Sequence, residues 1–243
     1  EVDPIKMQPS SRLRTFEEDL ANLDRLISQM GGLAEQNLGQ AFDALVQRDP
    51  ELAARVVKAD GEVDDLEKAI ETLAIDLIAE RQPKSENLRR IMASIRIASD
   101  LERVGDLAKN IAKRALAIAN EPHPKPLMTG LTHMIELALN QLKEVLDAYA
   151  ERDADKALAV WHSDRKIDDY YNSLFRELLT HMMEDPRNIG TATHLLFGAK
   201  NIERVGDHTT NIAENIYLLT TGSKLMDDRP KGDDTSLTLI NTL

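Results

Sequence analysis

The amino-acid sequence predicts an all-α protein made of two tandem three-helix bundles related by a pseudo-twofold repeat. Three observations predict it. Hydrophobic residues reach 42% while aromatics stay at 4%, with Ala, Leu, Glu, Asp, Arg and Lys abundant, a balance typical of helix packed on helix. Apolar residues recur at three- and four-residue steps over long stretches. Finally, Glu102-Arg103-Val104-Gly105-Asp106 returns letter for letter as Glu203-Arg204-Val205-Gly206-Asp207, and Asn110-Ile111-Ala112 returns as Asn211-Ile212-Ala213 at the same offset of 101 residues.

Each element has its own signal. Residues 1–11 hold two prolines and two serines and read as an arm. A first helix runs from about Thr15 to Arg48 on the stripe Leu20, Leu23, Ile27, Met30, Ala34, Leu38, Ala41 and Leu45. Asp49-Pro50 ends it and opens a second helix, with Asp as cap and Pro at the first helical position, continuing to about Arg81. Pro83 breaks that helix, and Ser85 is placed to cap a third, from Glu86 to about Asn120. Three prolines in Glu121–Pro126 make a rigid connector halfway along the chain. The pattern then repeats. A fourth helix spans about Leu127 to Glu151, a turn follows at Arg152-Asp153 (104 residues after Arg48-Asp49), and a fifth helix continues to about Met183. Asp185-Pro186 breaks it, and a sixth runs from about Asn188 to Thr221. The expected domains are therefore 12–121 and 126–222, with 1–11 and 223–243 as flexible termini.

Charge narrows the partners. With 30 basic and 42 acidic residues the net charge is −12, which disfavours binding of nucleic acid or anionic lipid and favours cations or basic protein surfaces. There is no cysteine, so a metal would have to be held by oxygen or imidazole. No run approaches the roughly 20 apolar residues of a membrane span, and the expected location is the cytoplasm. His133, His162, His181 and His194 lack the spacing of zinc or di-iron sites, and His208, next to Asp207, reads as a surface residue. No phosphate loop or nucleophile elbow is present, so no enzyme is expected. Trp161 and the methionines read as core.

The acids are what need explaining. At about 100° per residue, Leu88, Ile91, Ile95, Glu102 and Asp106 share one line of the third helix, and Ile189, Ala192, Leu196, Ala199, Glu203 and Asp207 share one on the sixth. On the fifth helix Asp164 and Asp168 lie among Ala157, Val160, Tyr171 and Phe175. Asp60 and Asp64 match them on the second, followed by Glu67 and Glu71. Pro83 is 19 residues from both Asp64 and Glu102, and Pro186 is 18 from Asp168 and 17 from Glu203, so antiparallel hairpins bring the pairs to one level. Carboxylates crowded on an apolar stripe repel unless cations sit among them or some are protonated. Oxygen-ligated, multinuclear metal binding is the simplest resolution. The competing reading is a purely structural helical adaptor whose acids are bridged by Arg103, Arg204, Lys58 and Lys109. A glycine twice inserted between Glu and Asp within a helix also asks for a packing or functional reason.

The doubled Glu-Arg-Val-Gly-Asp-x-x-x-Asn-Ile-Ala motif, the Arg-Asp turns and the acidic pairs resemble the PhoU family of phosphate-uptake regulators over nearly the whole chain. The resemblance implies metal clusters on Asp60, Asp64, Glu102 and Asp106 in one unit and Asp164, Asp168, Glu203 and Asp207 in the other. Divalent or trivalent ions (Fe, Zn, Mn, Mg or Ca) are the implied cofactors. Asp100, matched by Asn201 in the second repeat, would add a ligand to one cluster only, and Asn110 and Asn211 are either further ligands or hydrogen-bonding groups. The resemblance further implies a negative regulator of phosphate uptake and of the phosphate-starvation response. Its partners would be a phosphate ABC transporter ATPase and a phosphate-sensing histidine kinase, with a homodimer and membrane contact only through those partners.

Overall fold

The computed structural model describes residues 15–122 and 125–225; the predicted arm, His123, Pro124 and the tail from residue 226 lie outside these. Thr15 opens α1 (Phe16–Gln47) with a capping box, its hydroxyl accepting from Glu18 N at 3.3 Å and its own N donating to Glu18 Oε2 at 2.7 Å. The predicted stripe of α1, from Leu20 to Leu45, is buried throughout. Arg48 ends α1 in the left-handed region (φ 58°), and Asp49 caps α2 (Pro50–Ala59) by accepting from Glu51 N and Leu52 N. Next come α3 (Gly61–Arg81) and α4 (Ser85–Ile118). The second bundle repeats the layout with α5 (Lys125–Glu151), left-handed Arg152 (φ 56°), a cap at Asp153, α6 (Ala154–Ser163) and α7 (Arg165–Glu184). A single 3-10 turn, Pro186–Asn188, leads into α8 (Ile189–Thr221), which closes on left-handed Gly222.

Three local expectations are corrected. Ser85 is the first helical residue rather than the cap, because the helix opens at Lys84 with no side-chain cap. The predicted second and fifth helices are each interrupted, at Asp60 and at Asp164. Both residues keep right-handed helical dihedrals, but their carbonyls accept from three residues on (Val63 N at 3.0 Å, Ile167 N at 2.9 Å), while the four-residue contact stretches to 3.4 Å. This is a tightened, 3-10-like turn. The apolar periodicity runs straight through it, which is why the pattern carries no mark of it. Lastly, Leu88 and Ile189, predicted on the core stripe, are 38% and 48% exposed because they sit in the first turns of α4 and α8, beyond the reach of the facing helices.

The long α4 and α8 form the middle of the molecule. Each packs on the other helices of its own bundle, and the two pack on each other to join the bundles. Their buried residues, among them Ile97, Leu101, Ile111, Ile202 and Ile212, belong to one continuous core. Trp161 is buried as predicted, its Nε1 donating to Glu214 Oε1 at 2.9 Å, whereas Met92 and Met183 are exposed and do not fill core. At the α4–α8 contact Asp100 faces His208 Nδ1 at 2.9 Å and accepts from Asn211 Nδ2 at 3.1 Å. His208 is thus an interface residue rather than a surface one. Two residues from Glu102 means about 200° around the helix, so Asp100 turns away from the acidic line.

A second polar contact fastens the bundles. Asp24 of α1 accepts from Arg90 of α4, from Tyr149 Oη of α5 at 2.7 Å and from Arg152 Nη2 at 2.7 and 2.8 Å. Burial pushes the Asp24 carboxyl up, but the hydrogen bonds from Arg90 and Tyr149 and the Arg152 charge outweigh it and hold the group below its ordinary value. Asp24→Ala strands two guanidinium groups and a buried phenol, and it should cost about 2–4 kcal/mol in chemical denaturation. The loss should shrink in acid, where Asp24 itself takes up a proton and the pair is already broken.

Candidate functional site

The two glycines between the acids lie where helices pack closely. A methyl group on Gly105 would stand 3.3 Å from Val63 of α3. One on Gly206 would stand 2.7 Å from Asp164 Oδ1 and 3.1 Å from Ile167 Cδ1. Glycine here serves packing, and the close approach carries the acids of the middle helices against those of α4 and α8.

In the first bundle Asp60 is buried and takes Lys109 Nζ at 2.5 Å; the same ammonium is 3.4 Å from Asp106 Oδ1. Asp60, with Asp106 behind it, holds the Lys109 ammonium above its ordinary value. Arg103 lies 3.5 Å from Glu102 and 3.7 Å from Asp106. Even so, burial first, and then the charge of Asp106, raise the Glu102 carboxyl, with Glu67 and Asp64 adding to the rise. Glu67 is raised in the same way, by burial and then by Glu71. The structure therefore gathers Asp60, Asp64, Glu102 and Asp106 at one level, and it adds Glu67. Lys58 is exposed and makes no ion pair there, and Asn110 is exposed one turn beyond Asp106.

The second cluster is drier. Asp164, Asp168 and Glu203 are all buried, and Asp207 is half-buried one turn on. Lys200 Nζ approaches Glu203 Oε2 to 2.9 Å, an electrostatic contact without the alignment of a hydrogen bond, and that oxygen has no hydrogen-bond donor. Burial pushes the Glu203 carboxyl up; Lys200 opposes this, Asp207 and Asp168 reinforce it, and the group rises to about 7. Among the described residues, no three of His, Asp or Glu converge on one point as they stand. The donor chemistry nonetheless fits a hard cation. Every acid offers oxygen, and neighbouring acids add to the burial that raises Glu102 and Glu203.

Sequence reasoning missed Lys200 and a buried amide, Gln141 on α5. Lys200 lies one turn before Glu203, and Gln141 interrupts the apolar run Met134, Ala138, Leu142, Val145. Either is visible as a polar residue beside a stripe, but neither is repeated as an identical residue in the other half.

With this geometry in hand, comparison with known proteins decides the family. A family model described as the PhoU domain matches residues 27–115 and again 131–216, one match on each bundle. The chain belongs to the PhoU family. A phosphate-specific transport system accessory protein PhoU homolog from Rhizobium meliloti (strain 1021) is 57% identical over 224 residues, 92% of this chain and 94% of that one. The homolog of the same description from Caulobacter vibrioides (strain NA1000 / CB15N) is 46% identical over 91% of this chain and 96% of its own. The crystal structure of PhoU from Pseudomonas aeruginosa superposes with a TM-score of 0.84 at 34% identity, covering 86% of this chain and 100% of that one.

Two outcomes test this site. Ala exceeds Gly in helix propensity by roughly 1 kcal/mol, so Gly105→Ala should be near neutral while Gly206→Ala should destabilise by about 1–3 kcal/mol through overpacking; thermal melts of the pair check it. The raised Glu203 means the folded protein binds that proton more tightly than the unfolded chain. Stability of the metal-free protein should therefore fall as pH rises from 4.5 towards about 7. Glu203→Gln should flatten that fall and add on the order of 2 kcal/mol at pH 8, measured by denaturant titration across pH.

Proposed function

We propose that this protein is an accessory regulator of phosphate transport that represses uptake and the phosphate-starvation response by linking a phosphate ABC transporter ATPase to a sensor histidine kinase. The carrying observation is membership of the PhoU family, with relatives named as accessory proteins of the phosphate-specific transport system. Among the described residues no helix is long and apolar enough to cross a membrane, so contact with the transporter would run through its cytoplasmic ATPase. The protein would act in the cytoplasm as a homodimer and without catalysing a reaction.

Within this reading the acidic clusters are docking surfaces governed by cations. Asp60, Asp64, Glu102 and Asp106 would hold metal on one bundle, and Asp164, Asp168, Glu203 and Asp207 on the other. Iron, manganese, magnesium, calcium and, less well, zinc suit such oxygen donors. Bound metal would supply positive charge to a face that otherwise repels acidic partners. The residues themselves set the register: Gly105 and Gly206 hold paired helices close, and the Asp60 and Asp164 turns keep the deepest acids in place.

A second reading, a helical adaptor without metal, is favoured by Lys109 and Lys200, which already sit on the acids. Elemental analysis and calorimetry separate the two. Wild-type protein should carry metal and melt at lower temperature after EDTA treatment, since a ligand bound only to the native state raises its stability. An Asp106→Asn/Asp207→Asn variant of unchanged helical content should lose both effects and bind the transporter ATPase and the kinase cytoplasmic region at least tenfold more weakly. Metal-free protein that binds both partners at full strength would leave the adaptor reading in place. Failure to bind either partner would overturn the regulatory link itself.

A further inference from the structure

Below the second cluster lies a polar atom that the acidic pattern does not account for. Gln141 is 3% exposed, and its Nε2 donates to Val160 O at 3.4 Å. Its Oε1 is buried without any hydrogen-bond partner. An amide oxygen so placed is unfavourable unless something electropositive meets it. The oxygen is directed at the cluster: the position of a methyl on Gly206 is 3.3 Å from Gln141 Oε1 and 2.7 Å from Asp164 Oδ1. Two acceptor oxygens, one from α5 and one from the α6–α7 turn, therefore flank the bare backbone of α8 between Glu203 and Asp207.

The first bundle is built differently at each equivalent point. At the offset of 104 residues, Asn37 replaces Gln141 and is one methylene shorter. Asp60, the counterpart of Asp164, is taken by Lys109 Nζ at 2.5 Å. A methyl on Gly105 meets Val63 first, not an oxygen. Thr210 stands in the second repeat where Lys109 stands in the first, and its hydroxyl is turned back to Gly206 O at 2.9 Å. The first cluster holds an ammonium on its deepest aspartate; the second holds Lys200 on Glu203 and presents a neutral oxygen beside Asp164.

We propose that Gln141 Oε1 is a cation ligand of the second cluster, joining Asp164 from a third helix, and that this cluster consequently binds a divalent cation more tightly than the first. The inference rests on the cation-binding reading above. A neutral amide oxygen suits the role because it adds a hard ligand without adding charge to crowded carboxylates. An incoming cation must displace Lys109 in the first cluster and Lys200 in the second, so the added amide oxygen is what separates the two affinities.

The test is titration of the full-length, EDTA-stripped protein with Mn²⁺ by calorimetry, with circular dichroism as the check on folding. Wild type should show a tighter and a weaker class of site. Gln141→Leu should weaken the tighter class about tenfold or more. Gln141→Glu, which keeps an oxygen at the same reach, should retain it. Lys109→Met should strengthen the weaker class and leave the tighter one unchanged. A folded Gln141→Leu protein with unaltered Mn²⁺ affinity would overturn the proposal, as would loss of the tighter class in Gln141→Glu. That second result would mark the amide as a hydrogen-bond donor to Asp164, a part a carboxylate cannot play. Either outcome leaves cation binding by the carboxylates intact, whereas wild-type protein that takes no Mn²⁺ at all would remove both readings together.

Discussion

Carboxylates set on the packing face of a helix constrain everything around them. Asp60, Asp164, Asp168 and Glu203 are buried, and a buried acid is tolerated only where a cation, a proton or a set of donors meets it. The interruptions of the middle helices, the bare glycines of α4 and α8 and the two lysines all serve that requirement. A tightened turn keeps each deepest aspartate inside, and glycine lets the facing helix approach it. The apolar core supplies the stability against which this charge can be held.

The two halves meet the constraint unequally. In the first, the charge is partly answered from within by Lys109 and Arg103. In the second, Lys200 approaches Glu203 Oε2 without aligning to it, and burial raises that carboxyl to about 7. Duplication preserved the acids and glycines while the counter-charges diverged. A repeat that keeps its acids and changes their neighbours is what unequal affinities at two related sites require.

The bundles are joined by contacts with no counterpart in the repeat. Asp24 with Arg90, Tyr149 and Arg152, and Asp100 with His208 and Asn211, each tie the first half to the second. Both sets lie away from the acidic lines. The relative placement of the clusters is therefore set by these contacts together with the packing of α4 on α8.

Helix order and approximate outer ends were legible in the sequence because 3.6-residue periodicity, Asp-Pro breaks and Arg-Asp turns are local signals. The positions of the eight acids along the helices were legible for a similar reason. Repetition at a fixed offset needs no coordinates, and proline positions set their heights. The interface contact of His208, the outward-facing Leu88 and Ile189 and the turns at Asp60 and Asp164 were not legible, since each depends on which helix lies opposite. Gln141 and Lys200 escaped for the same reason: a polar residue beside an apolar stripe gains its meaning from the oxygen or ammonium brought next to it. Local order determined which helices form and where the acids lie along them, while the long-range packing of α4 on α8 and α5 on α6–α7 decided what each acid faces.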